Sequence, residues 1–159
     1  MIYKTYLSHY LAINGHRCYL GSKSDISYLM RKLKNYIYLD KGYHKGVSEK
    51  IYNTIKDNNG IIVSLDEEGA VDFNDNSTLF GRYSSELFNH VDYVFFWGIY
   101  QYEIIKKQML KKSKFLVSGH PRFELLKPRF HSIYNEEVRK IKKKFNDFIL
   151  INTNMSFGN

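Results

Sequence analysis

Three short stretches hold residue types able to do chemistry. The first is Ser64-Leu65-Asp66-Glu67-Glu68-Gly69. Its three consecutive carboxylates follow Ile61 to Leu65, a compact β-branched run of the kind that forms a buried parallel strand. In open α/β sheets, ligands bind outside the carboxyl ends of the strands. Burying three carboxylates is costly, so they must face a cleft, a cation or solvent. Neighbouring like charges raise a carboxylate pKa, which suits a general base. Asp66, Glu67 and Glu68 are therefore the candidate catalytic residues. The plainer alternative is an acidic surface loop capping a helix.

The second stretch is Val117-Ser118-Gly119-His120-Pro121-Arg122-Phe123-Glu124, again after a predicted strand. Gly119 lets the backbone turn, and Pro121 fixes the next φ angle and can open a helix. His120 titrates near neutral pH, and Arg122 can grip a phosphate or carboxylate with two parallel hydrogen bonds. Gly119, His120 and Arg122 are candidate substrate-binding residues. The alternative is a strand-to-helix turn in which Arg122 pairs with Asp66, Glu67 or Glu68. The third stretch is Phe95-Phe96-Trp97-Gly98, where Trp97 could stack on a sugar ring; a lone Trp is more often core. Arg82 and Tyr83 follow the acidic loop and could line the same cleft, with Arg82 a further binding residue. No P-loop, GxGxxG, HExxH or GxSxG pattern is present. The other histidines are scattered without ligand spacing and are assigned no role.

These loops need elements to position them. Apolar spacing predicts an opening helix (Tyr3, Leu7, Tyr10, Leu11) closed by Asn14-Gly15, then a β-like run from Arg17 to Leu20. A helix through Ile26, Leu29, Met30 and Leu33 follows, with Ser24 as its expected cap. Tyr36 to Leu39 is the next strand. A helix through Val47, Ile51 and Ile55 ends at Asn58-Asn59-Gly60, a left-handed stop. Beyond the acidic loop come a helix over Tyr83 to Val91, a strand from Tyr93 to Trp97, a helix through Tyr102, Ile105 and Met109, and a strand from Phe115 to Ser118. Tyr134, Val138, Ile141 and Phe145 stripe a last helix, and Phe148 to Ile151 reads as a last strand. Such alternation predicts an α/β, Rossmann-like three-layer sandwich with a mainly parallel sheet. A fold of this kind usually begins with a strand that feeds its first helix; here that first strand is expected to be missing. The expected division is a first α/β domain over 1–146 and the start of a second domain over 147–159.

With 159 residues, 43% hydrophobic and 25% charged, the chain suits a globular domain. Cys18 is alone and excludes an internal disulfide or zinc framework; it is expected to be buried. No apolar run reaches the roughly 20 residues needed to span a bilayer, and the N-terminus lacks a signal-peptide layout, so a cytoplasmic location is expected. The net charge of +8 is uneven: Glu103 to Lys144 carries thirteen Lys or Arg against four Glu. That concentration suggests an anionic partner, against the alternative of a solvated face.

In order along the chain, Asn14-Gly15-His16 with Gly21-Ser22-Lys23, Ile62 through Gly69, Asp92 through Gly98, Gly119 through Glu124 and Phe148 through Asn154 resemble a family of bacterial surface carbohydrate biosynthesis proteins. The resemblance covers nearly the whole chain. The family often has Gly-Asn-Pro-Arg-x-Asp where this chain has His120 and Glu124. The resemblance implies a two-domain GT-B glycosyltransferase, with the acceptor held by the N-terminal domain and a nucleotide-sugar donor by the C-terminal one. It implies that Glu67 or Glu68 activates an acceptor hydroxyl, that Arg122 and His120 face the donor phosphates, and that Trp97 is a wall. The basic stretch from Lys106 to Lys144 would then rest on the anionic inner leaflet of the membrane. The expected partners are thus a nucleotide-sugar, a glycan acceptor and that membrane surface, and the resemblance implies no bound metal or cofactor. The alternatives are a polyol-phosphate transferase using a CDP-alcohol, and a non-enzymatic module for anionic glycan or nucleic acid. Nucleic acid is disfavoured, because the basic residues lack interleaved aromatics.

Overall fold

The computed structural model describes residues 2–68, 74–107, 109 and 114–151. Gly69, Lys111, Lys112 and the block Asn152-Thr153-Asn154 lie outside the described residues. Contacts divide the chain into two units, Met1–Glu124 and Leu125–Asn159.

The first unit is α/β and Rossmann-like. Its sheet has four strands, β1 (Ile37–Asp40), β2 (Ile61–Leu65), β3 (Tyr93–Phe96) and β4 (Lys114–Val117), in the order β1-β2-β3-β4 and all parallel. Helices flank it: α1 (Ile2–Ile13), α2 (Lys23–Lys32), α3 (Ser48–Asp57), α4 (Ser77–Arg82), α5 (Ser85–His90), α6 (Ile99–Ile105) and α7 (Pro121–Glu124). Strands that follow one another in sequence and space, joined by right-handed crossovers, send their connecting helices to one face. That face forms the core. Ile62, Val94 and Phe96 from the strands are fully buried there with Tyr52 and Ile55 of α3, Phe88 of α5 and Ile105 of α6.

The register puts Ile37 beside Ile61, Leu39 beside Val63, Leu65 beside Phe95, and Phe95 beside Leu116 on the opposite face. This side is much less covered. Ile37 is 69% exposed, Leu116 50%, and Leu39 and Ile61 41% each. The sheet therefore keeps a largely apolar face half open to solvent.

Two expected strands are absent. Arg17 to Leu20 is irregular, with Tyr19 and Leu20 exposed, and Phe148 to Ile151 is likewise without regular structure and outside the sheet. Both runs have strand-like composition, but a strand exists only with a neighbour to complete its backbone hydrogen bonds. Cys18 is half-buried rather than enclosed. The cap of α2 is Ser22, whose hydroxyl accepts the Asp25 N–H; Ser24 lies inside the helix. α4 forms within the stretch whose polar composition points to a loop.

The stop after α3 is as read, with Asn59 at φ +55° and the Gly60 N–H donating to the Ile55 carbonyl at 2.8 Å. Gly60 is buried, and a Cβ there would collide with the Ile55 side chain and lie 2.9 Å from its carbonyl oxygen. Gly60→Ala should therefore destabilise the unit by about 1–3 kcal/mol, as overpacking does. Denaturant unfolding monitored by circular dichroism reads this, and an unchanged midpoint would contradict the packing described.

In the second unit, a 3-10 helix over Pro128–Tyr134 runs into α8 (Asn135–Phe145). Pro128 suits a first helical position. Glu136 and Glu137 in the first turn, and Lys142, Lys143 and Lys144 in the last, complement the helix dipole.

Candidate functional site

The sheet grammar carries three loops to one rim, because parallel strands all deliver their carboxyl ends to the same side. β1 ends in Asp40-Lys41-Gly42, β2 in Asp66-Glu67-Glu68, and β4 in Gly119-His120-Arg122, while β3 delivers Trp97 between the last two. The Trp97 indole N–H donates to the Asp66 carbonyl at 2.6 Å, and its ring lies 4.7 Å from the His120 imidazole, centroid to centroid. The acidic loop and the His-Pro-Arg loop thus meet across Trp97, which is half-buried, neither core nor free wall.

Each acid has its own environment. Asp66 is buried, and its Oδ1 takes the Arg82 guanidinium at 3.0 Å and the Glu68 N–H at 3.2 Å, while Oδ2 has no partner among the described residues. Burial raises its pKa, outweighing the Glu68 N–H and Arg82. Glu68 is exposed, bonds the other arm of Arg82 at 2.8 Å, and is held below the usual range by that guanidinium. Glu67 takes Lys4 at 2.6 Å and the Tyr3 hydroxyl. Its partial desolvation pushes upward, but hydrogen bonds from Lys4 and Tyr3 leave the pKa below the ordinary value. The expectation that crowded carboxylates raise each other's pKa therefore holds in direction for Asp66 alone, with burial as the first cause. In Glu67 and Glu68 the bonded cations win.

Arg82, read as a wall of the cleft, is committed to Asp66 and Glu68, so it braces the loop rather than reaching outward. Arg122 does not take the acids' oxygens; its guanidinium stands 5.9 Å from the Tyr3 ring centre, and the residue is exposed. Gly119 has φ +76°, the left-handed turn its sequence position required.

His120 is 4% exposed and ringed by Tyr3 at 5.1 Å, Trp97 at 4.7 Å and Phe123 at 6.2 Å between ring centres. Its Nδ1 accepts the Arg122 N–H at 3.0 Å, so the neutral ring carries its proton on Nε2, an atom buried without a partner among the described residues. Burial first, then the Arg122 charge, lowers the pKa below the ordinary 6.5. The unfolded chain consequently binds this proton before the folded one does. His120's contribution to stability should be complete above about pH 6.5 and fade as pH falls through the folded pKa. Imidazole nitrogen NMR checks both points: an Nε2–H tautomer and a midpoint below 6.5 are expected, and a ring still protonated at pH 7 would contradict them.

Three residues not singled out from the sequence also belong to the site: Tyr3, Lys4 and Gly42. Tyr3 and Lys4 sit on α1, sixty residues from Glu67, and looked like ordinary helix residues; burial, then the nearby Glu67, pushes the Tyr3 hydroxyl well above its usual pKa. Gly42, at φ +148°, leaves room for Asp66, whose Oδ1 would lie 3.0 Å from a Cβ there. The Asp40-Lys41-Gly42 loop carries a readable signal, an acid and a glycine at the end of a strand, the same pattern as the acidic loop after β2.

Among the described residues no group of three His, Cys, Asp or Glu is arranged to hold a metal ion, and no helix is long and apolar enough to cross a membrane. No protein-family model, curated protein or solved structure matches the chain.

Proposed function

We propose that this chain is the acceptor-side domain of a GT-B-type glycosyltransferase acting in bacterial surface carbohydrate synthesis. The reading rests on the sequence resemblance, and one observation supports it in the structure: the acidic loop after β2 and the His120-Pro121-Arg122 loop after β4 share one rim across Trp97. In this reaction the Glu67 carboxylate accepts the acceptor hydroxyl's proton as its oxygen attacks the sugar's anomeric carbon. The bond to the nucleoside diphosphate breaks, and the leaving phosphates gather negative charge. Arg122, exposed on the rim, is suited to meet that charge, and the buried His120 ring, accepting the Arg122 N–H, holds the turn that presents it. Asp66 and Arg82 hold the acidic loop in place.

Proposed with this reading are a nucleotide-sugar donor as substrate, a glycan acceptor, a cytoplasmic location and no resident metal or cofactor. The test is a donor screen on the polypeptide that joins this chain to the expected donor-binding domain. Sugar transfer from a nucleotide-sugar is the expected result. Transfer of a polyol phosphate from a CDP-alcohol instead, or no transfer from either class, would overturn it.

A further inference from the structure

We propose that α1 is an autoinhibitory latch on the rim, closed in this structure by Tyr3 and Lys4 on Glu67. The purpose of the latch rests on the transfer reading; its ability to open does not.

The closing contact imitates a substrate. The Tyr3 hydroxyl donates to Glu67 Oε1, the bond that an acceptor hydroxyl must make before its proton is taken. Lys4 Nζ lies 2.6 Å from the same oxygen. A carboxylate oxygen that already holds a hydroxyl and an ammonium is a poor proton acceptor, because both bonds favour the ionised form. The Tyr3 ring completes the closure. It lies 5.1 Å from the His120 imidazole, centroid to centroid, and the Arg122 guanidinium stands 5.9 Å from its centre. One residue of α1 thus bridges the acidic loop and the His-Pro-Arg loop, and the Glu67 side chain is left 16% exposed. An acceptor hydroxyl and the Tyr3 hydroxyl compete for one oxygen.

The rest of α1 is suited to release. Tyr3 is its one buried residue, and residues 9–13 are all exposed. A helix that served the core would bury an apolar face along its length, whereas Tyr10 is 52% and Ile13 68% exposed. Behind the helix, Gly15 turns at φ +87°, and residues 16–22 join α1 to α2 without regular structure. All of that connection except Cys18 is exposed. A short helix with few buried contacts on an exposed tether opens locally, while the core stays folded.

Hydrogen–deuterium exchange of the full chain, read by mass spectrometry, tests the latch without a substrate. Amides in the first two turns of α1 should exchange roughly a hundredfold faster than those of β2 and β3. Tyr3→Phe keeps the ring against His120 and removes only the hydroxyl. It should speed the α1 amides about tenfold further, the worth of a hydrogen bond to a charged group, and leave β2 and β3 unchanged. An α1 as protected as β2, or one indifferent to the substitution, would overturn the latch.

Sugar transfer by the polypeptide that includes the expected donor-binding domain tests the purpose. A ligand that binds only the open form is weakened by the closed fraction, so Tyr3→Phe should lower the acceptor KM about tenfold and leave kcat near its starting value. A tyrosine that merely positioned Glu67 would lose kcat on the same substitution. That result, or an unchanged KM, would overturn the inhibitory role. With no transfer from any donor, the reading of the site fails, whereas the latch stands or falls by its exchange rates.

Discussion

Arg82→Leu should destabilise the Met1–Glu124 unit by about 3 kcal/mol, lowering its melting temperature by roughly 10 °C. The cause lies in Asp66. Its side chain is 3% exposed, and the cation it faces is Arg82 at 3.0 Å. Removing one partner of a buried pair strands the other, which is far worse than never having made the pair. Because Arg82 is itself 22% exposed, the low end of the usual 3–5 kcal/mol range is the appropriate figure. The loss has a pH signature. The folded pKa of Asp66 is already raised by burial and would rise further without the guanidinium. An acid with a raised folded pKa is indifferent to folding below its unfolded pKa and destabilises increasingly as pH climbs toward the folded value. The variant should therefore be closest to the unaltered chain near pH 4 and furthest from it at neutral pH. Adding Asp66→Asn should restore part of the loss. Thermal unfolding of the single and double variants decides this, and a melting temperature within about 2 °C of the starting chain would remove the proposed brace.

Under the proposed transferase reading, Glu67→Gln should cut sugar transfer by about 10²–10⁴-fold, the usual contribution of a positioned acid–base group, with the acceptor KM much less affected. Glu68→Gln should have little effect. The two residues are adjacent in sequence yet differ in circumstance: Glu67 sits against Lys4, Tyr3 and the rim, whereas the Glu68 side chain is 68% exposed and tied to Arg82. Since Lys4 and Tyr3 hold the Glu67 pKa below the ordinary 4.5, the residue stays ionised well into the acid range. The acid limb of the rate profile should lie below pH 4.5 on its account, not near neutrality. Steady-state kinetics of both variants across pH read these outcomes together. Unaltered turnover in Glu67→Gln would remove the proton-accepting role.

The core of the fold was legible because its signals are local. The compact runs Ile61 to Leu65 and Tyr93 to Trp97 announced buried parallel strands, and Asn59-Gly60 announced the end of α3. Arg17 to Leu20 and Phe148 to Ile151 misled for a physical reason, since β-propensity describes fitness for a sheet and says nothing about whether a neighbouring strand exists. The loops of the site could be picked out because parallel topology sends every strand's carboxyl end to one side. Their pairing could not. That Arg82 rather than Arg122 would take Asp66, and that Lys4 would reach Glu67, depends on side-chain reach between different elements. The buried Nε2–H of His120 was equally unreadable, because it follows from a single backbone contact to Nδ1.

The half-covered side of the sheet bears on how the molecule behaves in company. Ile37, Leu39, Ile61 and Leu116 present a greasy plane next to β1 and β4, the outermost strands, and with little to shield it such a plane tends to stick to its like. A net charge of +8 holds neighbouring molecules apart at neutral pH. That repulsion fades as lysines lose their protons in alkaline buffer or as concentrated salt screens them, so precipitation should set in under either condition well before the hydrogen-bonded interior gives way.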